Sequence, residues 1–172
     1  MNYIIIEKSV RINDGGDDMK KVIEKLIENN KTISTMESCT GGALASSITN
    51  IEGSSEVFKF GAVTYSNEFK IKMGVDEEVI NKYSVYSKET AISMAKTIVS
   101  YTNSNYGVGI TGKLNRVDKN NLFGEDNIVY ICIYDRDNDK VNTFQIKVDK
   151  ETRKENKEEV IKLVKEKLLE II

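Results

Sequence analysis

The sequence predicts an α/β sandwich on a mixed sheet, folded as a single domain, and three observations lead there. Apolar stripes at helical spacing alternate with short β-branched runs, the pattern of strands interleaved with crossover helices. Toward the C-terminus two strand-like runs, IVYICIY (128–134) and KVNTFQIKV (140–148), flank DRDND (135–139), a hairpin signal that adds an antiparallel pair. No repeat or linker divides the chain, and 172 residues suffice for one compact core.

YIIIEKSVRI (3–12) is β-branched and weakly alternating, so it reads as a strand; DGGDD (14–18) breaks it and offers N-cap residues. Met19, Val22, Ile23, Leu26 and Ile27 follow at helical spacing and stop at Asn29-Asn30. TISTM (32–36) reads as a short buried strand, and residues 41–50 return to helical spacing through Leu44, Ser47 and Ile48. EGSS (52–55) reads as a loop, with a strand at 60–65 and short helices at 67–74 and 76–83. Ser87 caps a longer helix whose stripe is Ala91, Met94, Ala95, Ile98 and Val99. YGVGIT (106–111) is a strand, 112–127 is polar and irregular, and 151–172 is a charged amphipathic helix.

Composition removes whole classes of chemistry. With no histidine, Ser-His-Asp and Cys-His arrangements are excluded, as are the usual His-containing zinc sites. Two cysteines, Cys39 and Cys132, are too few for an all-cysteine metal site within one chain, and they point to a reducing, cytoplasmic setting rather than a disulfide framework. No metal and no other cofactor is expected. The net charge of −2 gives no basic footprint for nucleic acid. No apolar run approaches the ~18 residues of a membrane span, and MNYIIIEKSV is too short in its apolar part for a signal peptide. Any general base must be Lys, Tyr, Asp or Glu.

GVGITG (107–112) matches G-x-G-x-x-G, but its glycines fall inside a strand pattern with no helix behind it; it reads as a strand whose glycines let another backbone or a ligand come close. The turn ESCTGG (37–42) lacks P-loop spacing. Its residues fit two readings, a helix start capped by Ser38 or Thr40 with Gly41 and Gly42 relieving the backbone, or an anion site on helix amides. Cys39 and Cys132, with no histidine partner, read as buried structural thiols. A serine nucleophile without histidine needs a lysine or a tyrosine as its activator. TYSNEFK (64–70) supplies Tyr65 and Lys70 just past a strand. If that strand lies beside TISTM, its C-terminal end brings both near Ser38, where open α/β sheets place their sites. The alternative is a solvated Lys70 and a half-buried Tyr65.

ESCTGG (37–42), GSS (53–55), TYSNEFK (64–70), GV (74–75) and VYSKETA (85–91) occur in an order that resembles the CinA C-terminal domain family, whose enzymatic members are nicotinamide-mononucleotide amidohydrolases. The resemblance covers residues 19–172 as one CinA-like domain and leaves 1–18 as an N-terminal strand extension. It implies a three-layer α/β/α sandwich and hydrolysis of nicotinamide mononucleotide to nicotinate mononucleotide and ammonia, without a metal. Carried onto this chain, it makes Ser38 the nucleophile and Lys70 or Tyr65 its activator. The substrate would be bound by Glu37, Cys39, Thr40, Gly41, Gly42, Asn67, Thr111, Gly112 and Arg153; Arg153 suits the phosphate. The partner implied is a small pyridine nucleotide, and an exposed terminal strand is compatible with self-association. One stretch departs from the family. Where a Gly/Pro-rich loop usually follows Thr111-Gly112, this chain has GKLNRVDKNNLFGEDN, in which Lys113 and Arg116 could substitute charge for lost amide contacts. That departure keeps open a second expectation, a catalytically silent member that binds a nucleotide or a protein.

Overall fold

The computed structural model describes residues 18–115, 119, 122 and 124–172. The strand expected at 3–12, with the rest of the N-terminal extension before residue 18, lies outside the described residues, and so does Arg116.

The elements follow in the order α1 (Asp18–Glu28), β1 (Ile33–Glu37), α2 (Ala43–Thr49), α3 (Ser54–Val57), β2 (Phe58–Val63), α4 (Asn67–Lys72), α5 (Glu77–Tyr83), α6 (Lys88–Thr102), β3 (Tyr106–Gly112), β4 (Ile128–Asp135), β5 (Lys140–Lys147) and α7 (Arg153–Ile171). The five strands form one mixed sheet in the order β2-β1-β3-β4-β5. β1 pairs parallel with β2 and β3, whereas β3–β4 and β4–β5 are antiparallel, as the hairpin signal requires.

Helices cover both faces of the sheet, giving the three-layer α/β/α sandwich. Met19, Val22, Ile23 and Leu26 of α1 join Leu44 and Ile48 of α2 and Val160, Val164 and Leu168 of α7 over Ile33, Val108 and Ile110. On the opposite face Met36 packs with Val75, Ile80, Met94 and Ile98. Alternation along the strands divides the two cores, because successive side chains point to opposite faces. Each such aliphatic side chain, fully buried, contributes about 1.5–3 kcal/mol relative to exposure.

The glycines of GVGITG have a packing cause. A Cβ on Gly107 would stand 2.5 Å from the Ala95 carbonyl oxygen, and one on Gly109 would stand 2.2 Å from that of Ala91. The backbone of α6 therefore rests directly on β3, as a strand glycine permits.

Two boundaries differ from the sequence expectation. Residues 54–57 form α3 rather than a loop, because Gly53 takes the left-handed conformation (φ 84°) at its start and Ser54 and Val57 are buried. β2 begins at Phe58, two residues earlier than expected, where its parallel ladder with Ile33 opens.

Candidate functional site

β1 ends in a buried carboxylate, and that carboxylate organises the turn. Glu37 Oε2 accepts from Thr40 Oγ1 at 2.7 Å and from the amides of Leu44 at 3.1 Å and Gly42 at 3.2 Å; Oε1 accepts from the Ala45 amide at 2.8 Å. A helix start leaves several amides unpaired and carries partial positive charge, so Glu37, completely buried, serves as the internal anion of α2. This corrects the expectation that Ser38 or Thr40 caps the helix: the N-cap is Gly42, at φ 92°, with no side-chain cap. Glu37 and Thr40, named as substrate contacts, direct their polar side-chain atoms at each other.

The amides of Ser38, Gly41 and Ala43 are also committed, to the carbonyls of Ile110, Ser38 and Thr40. Those of Cys39 and Thr40 donate to no backbone carbonyl among the described residues, and the Cys39 amide lies against its own thiol sulfur.

β2 runs beside β1, and the Thr64 amide extends the pairing by donating to the Glu37 carbonyl. The chain then enters α4, capped by Ser66, whose hydroxyl accepts from the Phe69 amide at 3.2 Å. The helix turns Lys70 inward until it is 1 % exposed. Its Nζ donates to Ser38 Oγ at 3.0 Å and to the Thr64 carbonyl at 2.7 Å. Lys70 is therefore a buried neighbour of Ser38 rather than a solvated helix lysine. The Thr64 hydroxyl is buried with no hydrogen-bond partner among the described residues.

Tyr65, expected either beside Ser38 as an activator or half-buried in the sheet, is exposed and turned to Arg153. It is 64 % exposed, and its hydroxyl accepts from Arg153 at 3.2 Å. No Tyr65–Ser38 hydrogen bond is present among the described residues. Asn67 is the half-buried first residue of α4. The Cys39 thiol is pushed up to about 12 by burial, opposed by the positive charges of Arg153 and Lys70. Such a group stays a neutral thiol near neutral pH and is a poor nucleophile. Cys132, in the core beneath α6, is likewise raised to about 12 by burial.

Thr111 and Gly112, at the end of β3, spend themselves on the fold. Thr111 Oγ1 donates to the Val85 carbonyl at 2.9 Å, and a Cβ on Gly112 would meet the Ile128 carbonyl oxygen at 2.5 Å. Lys113, only 3 % exposed, turns back on its own loop. Its Nζ donates to the Gly124 carbonyl at 3.1 Å and to the Leu122 carbonyl and Asp126 Oδ1 at 3.4 Å each. It thus holds the described part of the loop instead of presenting charge outward.

Sequence reasoning missed an asparagine staple on the far side of the site. Asn156 Nδ2 donates to Asn115 Oδ1 at 2.6 Å and to the Lys150 carbonyl at 3.1 Å, while its Oδ1 accepts from the Lys150 amide at 2.8 Å. Asn115 in turn takes its backbone amide to Asn127 Oδ1 at 2.9 Å. The staple joins the end of β3 to the start of α7, where Arg153 reaches the Leu114 carbonyl. A signal existed: Asn156 precedes Val160 by four and Leu163 by seven, so it is a polar residue on the apolar stripe.

Fold and site together define a three-layer α/β/α protein with a buried serine–lysine pair at the C-terminal ends of its parallel strands. The chain belongs to the CinA C-terminal domain family, whose model matches residues 17–172. It is 42% identical over 122 residues to a competence-damage inducible protein of Clostridium botulinum strain Okra, a match covering 65% of this chain and 30% of that protein. It is 49% identical over 88 residues to a CinA-like protein of Endomicrobium trichonymphae, covering 51% of this chain and 21% of the relative. The chain thus spans less than a third of the length of these curated relatives. Among solved structures, the competence/damage inducible protein of Agrobacterium tumefaciens superposes with a TM-score of 0.77 at 27% identity, covering 92% of this chain and 98% of that one. A CinA superfamily protein of Escherichia coli gives 0.82 at 21% identity over 96% of each chain, a likeness of fold. No helix among the described residues is long and apolar enough to cross a membrane.

Proposed function

We propose that this chain is an amidohydrolase that releases ammonia from the carboxamide of nicotinamide mononucleotide, with Ser38 as nucleophile and Lys70 as its base. The observation that carries the reading is the 3.0 Å contact between a buried lysine amine and the Ser38 hydroxyl. A lysine amine held by burial against a serine hydroxyl is placed to take the proton of that hydroxyl where no histidine is present.

In the reaction, Ser38 Oγ attacks the carboxamide carbon while its proton passes to Lys70 Nζ. The carbonyl oxygen becomes an oxyanion facing the Cys39 and Thr40 amides; preorganised donors of this kind contribute on the order of 3 kcal/mol each. Lys70 then gives the proton to the departing nitrogen, so that ammonia leaves and an ester remains on Ser38. Water, deprotonated by Lys70, attacks that ester, and Lys70 returns the proton to Ser38 Oγ as the acyl–oxygen bond breaks; the acid product loses its own proton to solvent as the carboxylate. Glu37 fixes the turn that carries nucleophile and donors. Tyr65 and Arg153, bonded to each other, stand on the substrate side rather than at the serine.

Purified protein incubated with nicotinamide mononucleotide is expected to release ammonia at a rate that a chelator leaves unchanged. A panel of other amides tests the substrate: preference for one of those would keep the chemistry and replace the nucleotide. The altered loop after Gly112 favours a second reading, a silent nucleotide-binding member. That reading predicts thermal stabilisation by the mononucleotide with no turnover.

A further inference from the structure

We propose that the Thr64 hydroxyl holds a water molecule against Lys70, and that this water is the one that cleaves the ester on Ser38. Its hydrolytic use rests on the amidohydrolase reading; the water site itself does not.

Thr64 follows β2 directly, and its backbone is bound to the site on both sides. The amide donates to the Glu37 carbonyl at 2.9 Å, and the carbonyl accepts from Lys70 Nζ at 2.7 Å. The side chain differs. Thr64 is 3 % exposed, yet its Oγ1 has no hydrogen-bond partner among the described residues. A buried hydroxyl without a partner destabilises a fold, so one that a native protein keeps calls for a water, a ligand or a use in catalysis.

Strand register fixes the side on which this hydroxyl lies. Glu37 stands opposite Val63 in the parallel ladder of β1 and β2, and residues so paired share a face. Glu37 turns to the start of α2, and a Cβ on Gly42 at that start would meet Val63 Cγ2 at 3.4 Å. The preceding pair, Met36 and Ala62, faces the other way, into the core with Ile80 of α5 and Met94 of α6. Pairing continues one residue past both strands, because the Ser38 amide donates to the Ile110 carbonyl and the Thr64 amide to the Glu37 carbonyl. Ser38 and Thr64 therefore project on the Met36 side, from neighbouring strands about 4.8 Å apart. Lys70 Nζ touches both residues, 3.0 Å from Ser38 Oγ and 2.7 Å from the Thr64 carbonyl. The nearby hydroxyls of Thr40 and Thr111 are bound, to Glu37 and to the Val85 carbonyl. Thr64 Oγ1 is left beside the serine–lysine pair.

The second half of the reaction needs a water in this place. Once ammonia has left, Lys70 is neutral and the acyl carbon is bonded to Ser38 Oγ. The attacking water gives one hydrogen to Lys70 Nζ and aims a lone pair at that carbon, so its other hydrogen needs an acceptor. Thr64 Oγ1 supplies it. The water oxygen then bonds to the carbon, the bond from that carbon to Ser38 Oγ breaks, and Lys70 returns its proton to Oγ. In the first half the departing nitrogen is held by its own bond to the substrate, whereas water has no such tether. Thr64 is thus a positioning residue of the second half, because it acts through the water.

The test is Thr64→Val, which removes the hydroxyl at nearly constant volume, assayed with nicotinamide mononucleotide. The kcat should fall about tenfold, the loss of roughly one hydrogen bond. The variant should release about one equivalent of ammonia in a fast first phase and carry the acyl group in its intact mass, the signs of a slowed second step. Its midpoint in urea should match wild type, so that the slower rate is not a loss of folded protein. Thr64→Ser should restore most of the rate and abolish the accumulation. A wild-type kcat in Thr64→Val, a lower kcat without acylated protein, or no recovery in Thr64→Ser would each overturn the hydrolytic role. A high-resolution crystal structure of the wild type reads the water without turnover. It should show a water within hydrogen-bond distance of both Thr64 Oγ1 and Lys70 Nζ, and a structure without one overturns the water site. The two proposals fail separately. That water in a protein that releases no ammonia keeps the site and removes the amidohydrolase, and its hydrolytic use with it. Ammonia release that Thr64→Val leaves unchanged does the reverse.

Discussion

The two sides of the site are held by different means. On the Ser38 side two buried and paired groups fix the geometry: Glu37 accepts four hydrogen bonds, and Lys70 is wedged between a hydroxyl and a carbonyl. On the α7 side, Arg153 and Tyr65 are exposed and bonded to each other, and Arg153 starts the helix that the asparagine staple of Asn115, Asn127 and Asn156 ties to the end of β3. Buried, fully paired groups have one arrangement of low energy, because any other leaves a donor or acceptor unsatisfied. Exposed charges on a loop and a helix start can change at little cost. The comparison teaches that reactive geometry and ligand preference are separable here: the first is fixed by the core, the second by residues that water could also satisfy.

Substitutions can break this contrast at either side. The largest effect is expected at Lys70. Lys70→Met keeps the volume and removes the amine, so ammonia release should fall by about three orders of magnitude or more, while the unfolding free energy from urea titration falls by no more than about 2 kcal/mol. A collapse of stability instead would make Lys70 a structural residue. Glu37→Gln comes next. The amide turns an NH2 toward donors that need an acceptor, so chemical denaturation should show a loss of about 3 kcal/mol. If its stability matches wild type, the carboxylate does not organise the turn.

Asn156→Ala should cost less, about 1–2 kcal/mol, and should raise KM for the mononucleotide more than it lowers kcat, because it loosens the Arg153 side alone. An equal fall in kcat would couple the two sides after all. The smallest effect concerns Cys39 and Cys132. Both thiols, held near 12 in the native protein against an ordinary 9.0, should resist alkylation at pH 8 and react once the protein is unfolded. The sign of the linkage follows: the unfolded thiols lose their protons first, so this contribution is intact below pH 9.0 and declines as pH rises toward 12. Rapid labelling of native Cys39 at pH 8 would show the Ser38 side to be less tightly closed than described.

Much of the fold was legible because it rests on periodicity. The stripe of Met19, Val22, Ile23 and Leu26 and the DRDND hairpin needed only local pattern, and both are present. The start of β2 was misplaced because a parallel ladder, not local composition, sets it. At the site, Ser38 and Lys70 could be paired on paper once β1 and β2 were taken as neighbours. Glu37 could not be understood that way, since its partners at Gly42, Leu44 and Ala45 depend on how the turn folds back. Lys113 and Lys157 show the same limit in opposite directions. Both are lysines in polar stretches, yet one is buried on carbonyls and the other lies against Gly41. Only the tertiary path of the chain distinguishes them.

The most direct test of the central claim compares wild type with Ser38→Ala, a variant that removes one oxygen from a nearly buried position. With nicotinamide mononucleotide the wild-type protein should yield ammonia and the carboxylate product in equal amounts, and Ser38→Ala should yield neither above background. Undiminished ammonia release by Ser38→Ala, or none from wild type at any protein concentration, would contradict the account.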